Sequence, residues 1–218
     1  MTGYTGDVTP GGPPAVRELT GLTVTKVSVG PMDNNAYLLR CTADGSQLLI
    51  DAANDADRLL ALIGNGGLAT VVTTHRHRDH TVALPAVVRA TGARSLAHTD
   101  DAAEIPVVTG TLTDGDTVTV GDCPLEVIHI VGHTPGSLVL AYRDPAGTAH
   151  LWTGDSLFPG GVGNTRGDRK NFASLIDDVE RKLFGRFGDD TWFYPGHGKD
   201  STLGAERPHL AKWRARGW

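Results

Sequence analysis

The sequence predicts an α/β fold in which sheets pack face to face with helices outside, built as two similar halves. Three observations carry that reading. Short stretches of alternating or continuous apolar residues recur through most of the chain, each long enough for a strand and too short for a helix. Helical patterns fall among them too sparsely for the regular alternation of a doubly wound sheet. Glycine supplies 28 of the 218 residues, nearly twice the usual share of about 7%, so many tight turns are expected.

The elements follow in order. Residues 1–21 are rich in Gly, Pro and Thr and read as a loosely ordered arm, leaving 22–218 as a single domain. Residues 22–29 (LTVTKVSV) and 35–41 (NAYLLRC) alternate as strands, and 46–53 (SQLLIDAA) end a third. A short helix follows over 55–67, with Asn54 or Asp55 as its cap and Gly64, Gly66 and Gly67 at its end. The β-branched run 68–74 (LATVVTT) is a buried strand. Residues 81–92 form a helix with Pro85 in its first turn, and 94–98 a further strand. The second half repeats the theme. Residues 115–131 make a hairpin turning at 121–124, and 137–142 and 148–155 are two more strands. Apolar positions at Phe172, Leu175, Ile176, Val179, Leu183 and Phe184 give helical spacing over 171–187. A last strand over 191–198 and a basic helix over 204–218 close the chain.

Composition excludes several classes. The formal charge is −5, from 25 acids and 20 bases, which disfavours a nucleic-acid binder with its basic face. No apolar run approaches the roughly 18 residues of a membrane span. The stretch MTGYTGDVTPGGPP has neither a cationic head nor an apolar core, so no secretory leader is expected. Cys41 and Cys123 form no CxxC and no disulfide framework. They are expected to pack, in a reducing cytoplasm.

The chemistry concentrates in His75-Arg76-His77-Arg78-Asp79-His80. Three of the nine histidines and one aspartate fall within six residues, directly after a buried strand. Imidazole and carboxylate donors suit zinc, and also iron or manganese. Four donors crowd a single tetrahedral ion, so two ions sharing the loop are expected. His133 in GHTPGS, Asp155 in HLWTGD and His197 in YPGHG each stand where a strand gives way to a glycine turn. Together they bring the set to seven donors, enough for two ions with one shared aspartate and room for a bridging water.

HxHxDH, then GHTPG, TGDSLF and PGHG, resemble the motifs of the metallo-β-lactamase superfamily over nearly the whole chain after residue 21. The wording is most similar to its glyoxalase II-like branch, the hydroxyacylglutathione hydrolases and their shorter bacterial relatives. The resemblance implies a four-layer αβ/βα sandwich. It assigns His75, His77 and His133 to a first metal, Asp79, His80 and His197 to a second, and Asp155 to both. It further implies a hydrolase of small thioesters, using a hydroxide that bridges two divalent ions, with zinc the expected metal. A water so held ionises near pH 7 rather than 15.7. Asp79 would orient it and take its proton. A thiol, with a pKa of about 8.5, leaves without a separate general acid. The loop after Asp155, GVGNTRGDRKNF, departs from the GxGR wording usual in that branch.

A lactonase would use the same donors. A mononuclear-iron persulfide dioxygenase shares much of the motif set, but PGHG stands here where those relatives resemble PAHDY. A β-lactamase and a nuclease fit less well, and no GxSxG serine signature occurs. The expected partner is a small molecule, with neither nucleic acid nor membrane; the oligomeric state is open. Asp51 is either an orienting partner for a histidine ligand or a plain turn former. His129 reads as a core or supporting histidine, and His98, His150 and His209 as structural or surface residues. Arg166, Arg169 and Lys170 form either a basic rim facing a substrate carboxylate or a solvated loop. Trp152 and Trp192 belong to core strands; Trp213 and Trp218 cover the core or an oligomer contact.

Overall fold

The computed structural model describes residues 4–217. Residues 1–3 of the expected arm and Trp218 lie outside the described residues. The first sheet holds seven strands in chain order: β1 (Ala15–Glu18), β2 (Leu22–Val29), β3 (Asn34–Cys41), β4 (Gln47–Ile50), β5 (Thr70–Val72), β6 (Arg94–His98) and β7 (Gly110–Leu112). The strands from β1 to β4 pair antiparallel, and those from β4 to β7 pair parallel. Parallel neighbours need a crossover: α1 (Ala56–Ile63) lies between β4 and β5, α2 (Leu84–Thr91) between β5 and β6, and a segment with a 3₁₀ turn at Ala102–Glu104 between β6 and β7.

The second sheet has six strands. β8 (Thr117–Val120), β9 (Cys123–Ile130), β10 (Ser137–Arg143) and β11 (Ala149–Gly154) run antiparallel. A small hairpin, β12 (Leu157–Phe158) and β13 (Gly161–Val162), and helix α3 (Arg169–Asp178) follow. Then β14 (Trp192–Pro195) joins β11 in parallel, with β15 (Ser201–Thr202) at the edge. Helices α4 (Leu203–Glu206) and α5 (Leu210–Arg216) end the description.

Three buried clusters define four layers. Alternate residues of the first sheet, Leu38, Leu49 and Val71 among them, pack under Leu59, Ile63, Leu84 and Val87 of α1 and α2. The others, including Leu39, Leu48 and Val72, meet Leu125, Leu140, Trp152 and Tyr194 between the sheets. On the far side Ile128, Val139, Leu151 and Phe193 lie under Phe172, Leu175, Ile176 and Trp213. Strands buried on both faces explain the continuous apolar runs. The architecture is the expected αβ/βα sandwich.

Several details correct the sequence reading. The described part of residues 1–21 is built into the fold. β1 pairs with β2, Tyr4 donates a 2.9 Å hydrogen bond to Asp200, and Lys26 Nζ donates to the Gly6 carbonyl. Tyr4 and Leu19 anchor this polar segment by packing against the inter-sheet core. Asp55 does not cap α1 through its side chain; it holds a left-handed backbone, and its carboxylate accepts from Gly30 N instead. α3 starts where the Asp168 carboxylate accepts from Lys170 N and Asn171 N, and continues as a π-helical segment over Val179–Phe184. The C-terminal helix is broken by a 3₁₀ turn at Arg207–His209, where Pro208 offers no backbone donor. Cys41 and Cys123 are buried free thiols.

Candidate metal centre

Four strands of the two sheets deliver the seven predicted donors to one end of the sandwich. β5 runs out into Thr73–His80, and a 3₁₀ turn over Arg78–His80 brings Asp79 and His80 round. His133 follows β9. The parallel pair β11 and β14 shifts register at Thr153, so that Gly154 faces Pro195 where the pair ends, and Asp155 and His197 leave the sheet from adjacent strands. Gly196 N donates to Gly154 O at 2.8 Å and Asn35 N to Gly196 O at 2.7 Å, tying β14 to the first sheet.

The nitrogens and oxygens gather in three overlapping groups: His75, His77 and His133; Asp79, His80 and His197; and His75, His80 and Asp155. His75 Nε2 lies 3.1 Å from His77 Nδ1, and His80 Nε2 lies 3.1 Å from His197 Nε2. Asp155 stands between the groups. Its Oδ2 is 3.5 Å from both His133 Nε2 and His197 Nε2 and 4.0 Å from His75 Nε2, and its Oδ1 is 3.5 Å from His80 Nε2. His133 Nε2 and Asp155 Oδ1 are buried without a hydrogen-bond partner. Bare nitrogens facing one another around a carboxylate, with orphaned donor atoms, are the arrangement a cation completes.

The outer nitrogens are held elsewhere. His133 Nδ1 donates to Asn164 O and His197 Nδ1 to Met32 O, each at 2.9 Å. His80 Nδ1 donates to Asp51 Oδ2 at 2.9 Å. Asp51 also accepts from Thr74 N and Thr74 Oγ1, and Thr74 Oγ1 meets His75 Nδ1 at 3.0 Å. These anchors turn the opposite nitrogens of His75, His80, His133 and His197 inward. Of the two readings of Asp51, the orienting one describes its place.

Charge follows the same geometry. Burial holds His75, His77 and His133 below the usual imidazole range, and neighbouring imidazoles add to the effect at each. That direction favours the neutral rings, whose lone pairs a cation needs. Burial alone would lower His80 too, but Asp155, Asp51 and Asp79 outweigh it and push the ring up to about 9. A cation on Nε2 would take that proton's place. Burial would raise Asp155, yet His80, His197 and His75 hold its carboxyl well below the carboxylate range.

Two residues here carried no sequence signal beyond a polar side chain in an apolar setting. Asn34, 1% exposed, donates to Asp79 Oδ2 at 2.8 Å. Asp101, also buried, accepts from Arg76 N, Thr134 Oγ1 and Gly136 N, joining the 75–80 loop to the loop that carries His133. His129 is not at the centre; it stacks on His98 at 3.8 Å. Arg166 lines a pocket of about 300 Å³ with His77, His133 and Asn171; Arg169 and Lys170 are exposed at the head of α3.

Residues 29–204 match the family model of the metallo-beta-lactamase superfamily. The chain belongs to that superfamily. Within it, the chain is 40% identical over 132 residues to a hydroxyacylglutathione hydrolase of Fuscovulum blasticum, covering 60% of this chain and 51% of that one. The chain spans about half the length of the first curated relatives it matches. Among solved structures it is similar to ETHE1 from Myxococcus xanthus, with a TM-score of 0.77 and 26% identity over 88% of this chain and 84% of that one. It is also similar to TTHA1623 in a di-iron-bound form, with a TM-score of 0.67 and 29% identity over 84% and 96%. No described helix is long and apolar enough to cross a membrane.

Proposed function

We propose that this chain is a dinuclear metallo-hydrolase of small thioesters, releasing an acid and a thiol. The observation that carries the reading is the placement of Asp155 within 4.0 Å of four imidazoles from both donor groups. His75, His77 and His133 would hold one divalent ion, Asp79, His80 and His197 the other, and Asp155 both. Zinc is the expected metal, with iron or manganese as alternatives. Such a pair supplies hydroxide at neutral pH and a Lewis acid for a carbonyl oxygen.

The chain's own residues do the rest. Asp79 is half-buried, and the Asn34 amide fixes its Oδ2. That carboxylate orients the attacking water and passes its proton to solvent. Asp51 and the Met32 and Asn164 carbonyls keep the imidazoles from rotating, so the site needs little reorganisation during reaction. A thiolate leaves unassisted. Arg166, on the His77 and His133 side, forms no ion pair among the described residues and suits a negatively charged group on the departing thiol.

The hydroxyacylglutathione hydrolase relatives support the thioester, and the likeness to a di-iron-bound protein supports two ions. Elemental analysis of protein purified without added metal, followed by a panel of thioesters, lactones and persulfides with oxygen uptake recorded, tests the reading. Two ions per chain and thioester turnover without oxygen uptake are expected. One iron with oxygen uptake on persulfide assigns a dioxygenase instead, and turnover confined to lactones assigns a lactonase.

A further inference from the structure

The two flanks of the centre differ in character. On the His77 and His133 side the wall is polar and cationic, with Asn164, Arg166 and Asn171. On the Asp79 side a separate pocket of about 320 Å³ is lined by Pro31, Met32, Val82, Asn34, Asp79 and Arg78. Met32 and Val82 are 60% and 48% exposed, two of the four large apolar side chains left in water among the described residues. Single exposed apolar residues need no explanation, but two that share one pocket at a reactive centre mark a binding surface. Their backbones are fixed. Met32 O accepts from His197 Nδ1, and Val82 N donates to Ala53 O at 3.0 Å. The apolar wall therefore stands at a set position relative to the donors, and Asn34 and Asp79 make the pocket continuous with them.

We infer that the Pro31, Met32 and Val82 wall is the acyl subsite and takes an unbranched aliphatic acyl group, with the thiol part on the opposite, Arg166 side. This rests on the thioester reading above and names its substrate class. An aliphatic tail is the one part of a thioester that gains by leaving water here. A charged thiol carrier would lose hydration against Met32 and Val82, where Arg78 is the single cation, and finds two, Arg76 and Arg166, on the other side.

Product acids probe the subsite without turnover. Acetate, butyrate and hexanoate are titrated calorimetrically into the metal-loaded enzyme, and matching acyl thioesters of one thiol are assayed beside them. Affinity is expected to rise by about two- to four-fold per methylene, four-fold being the value for full burial. The double variant Met32→Ser, Val82→Ser changes only exposed positions and is expected to bring hexanoate within about two-fold of acetate. Thioester turnover with no dependence on acyl length, in binding or in kcat/KM, overturns the subsite and leaves the hydrolase standing. A length dependence that the double variant does not flatten also overturns it. A steep dependence, lost in the double variant, with no thioester turnover supports the apolar subsite and overturns the thioester reading.

Discussion

The first half of the chain brings four of the seven donors from one loop, His75 to His80, whereas the second half brings three from three separate strand ends. In the first half a single 3₁₀ turn sets the spacing of Asp79 and His80, so the geometry is largely local. In the second half, placement depends on pairing between strands far apart in sequence. Asp155 and His197 meet where the parallel pair β11 and β14 ends, past an irregularity at Thr153 that shifts the register so that Gly154 faces Pro195. The local cluster is robust to strand slippage and the distributed set is not. Asp155, the donor that touches both groups, belongs to the distributed half.

Removing that donor breaks the comparison hardest. Asp155→Ala is expected to reduce bound metal below two ions per chain and cut turnover by roughly 10³-fold, corresponding to several kcal/mol of lost stabilisation. Two tightly held ions per chain in the variant, by elemental analysis, would refute the bridging role. The register can be attacked without touching a donor. A Cβ at Gly196 would run into Asp155 Oδ1 and would come 2.8 Å from His80 Cε1. Gly196→Ala is therefore expected to displace both groups and lower kcat by about 10²-fold, the cost of a displacement of about 1 Å at a reacting centre. Unchanged metal content and rate would show that the β11–β14 ends have slack.

The same contrast explains what was legible in the sequence. The gathering of the seven candidate donors could be read because each sits beside a glycine or within HxHxDH, directly after an apolar strand. The layered fold could be read because its strands are buried on both faces. Asn34 and Asp101 could not be read, since each acquires its role from partners 25 to 45 residues away. β1 and the packing of Tyr4 escaped for the same reason. Tyr4 meets Asp200 across 196 residues, and no local pattern announces that contact. Four-residue β1 and two-residue β12, β13 and β15 are too short for any periodicity. Asp51 lay between these cases, adjacent to a strand end yet with its partners on another loop.

Asp51 offers a sharper test of the first half. Its carboxylate serves His80 and Thr74 together, and through Thr74 it reaches His75. Asp51→Asn keeps the shape but weakens the acceptor. Supporting partners of this kind cost about 10- to 100-fold in metal affinity when lost, so the variant should release metal to a chelator that much more readily. Equal chelator resistance in wild type and variant would make Asp51 a turn former only.

The smallest expected effect separates a buried histidine that faces donors from one that does not. His150, on β11 and 1% exposed, shares the second half with Asp155 but faces Tyr194 and Tyr142 instead. Its Nδ1 shares a 3.0 Å hydrogen bond with the Tyr194 hydroxyl, and Arg17 donates to that hydroxyl at 3.2 Å. Burial first, then the Arg17 charge, lowers the ring to about 4. In the unfolded chain the same ring titrates near 6.5. As pH falls from about 6.5 to about 4, the unfolded state takes up the proton before the folded state can, so stability falls with pH across that window. Above pH 6.5 His150 contributes no slope. His150→Gln removes the titration, and urea unfolding at pH 7 and pH 5 should show a smaller loss of stability in the variant than in the wild type. An identical loss in both would place the acid sensitivity elsewhere, with buried His98 and the candidate donor histidines at the sandwich edge as the remaining imidazoles to titrate.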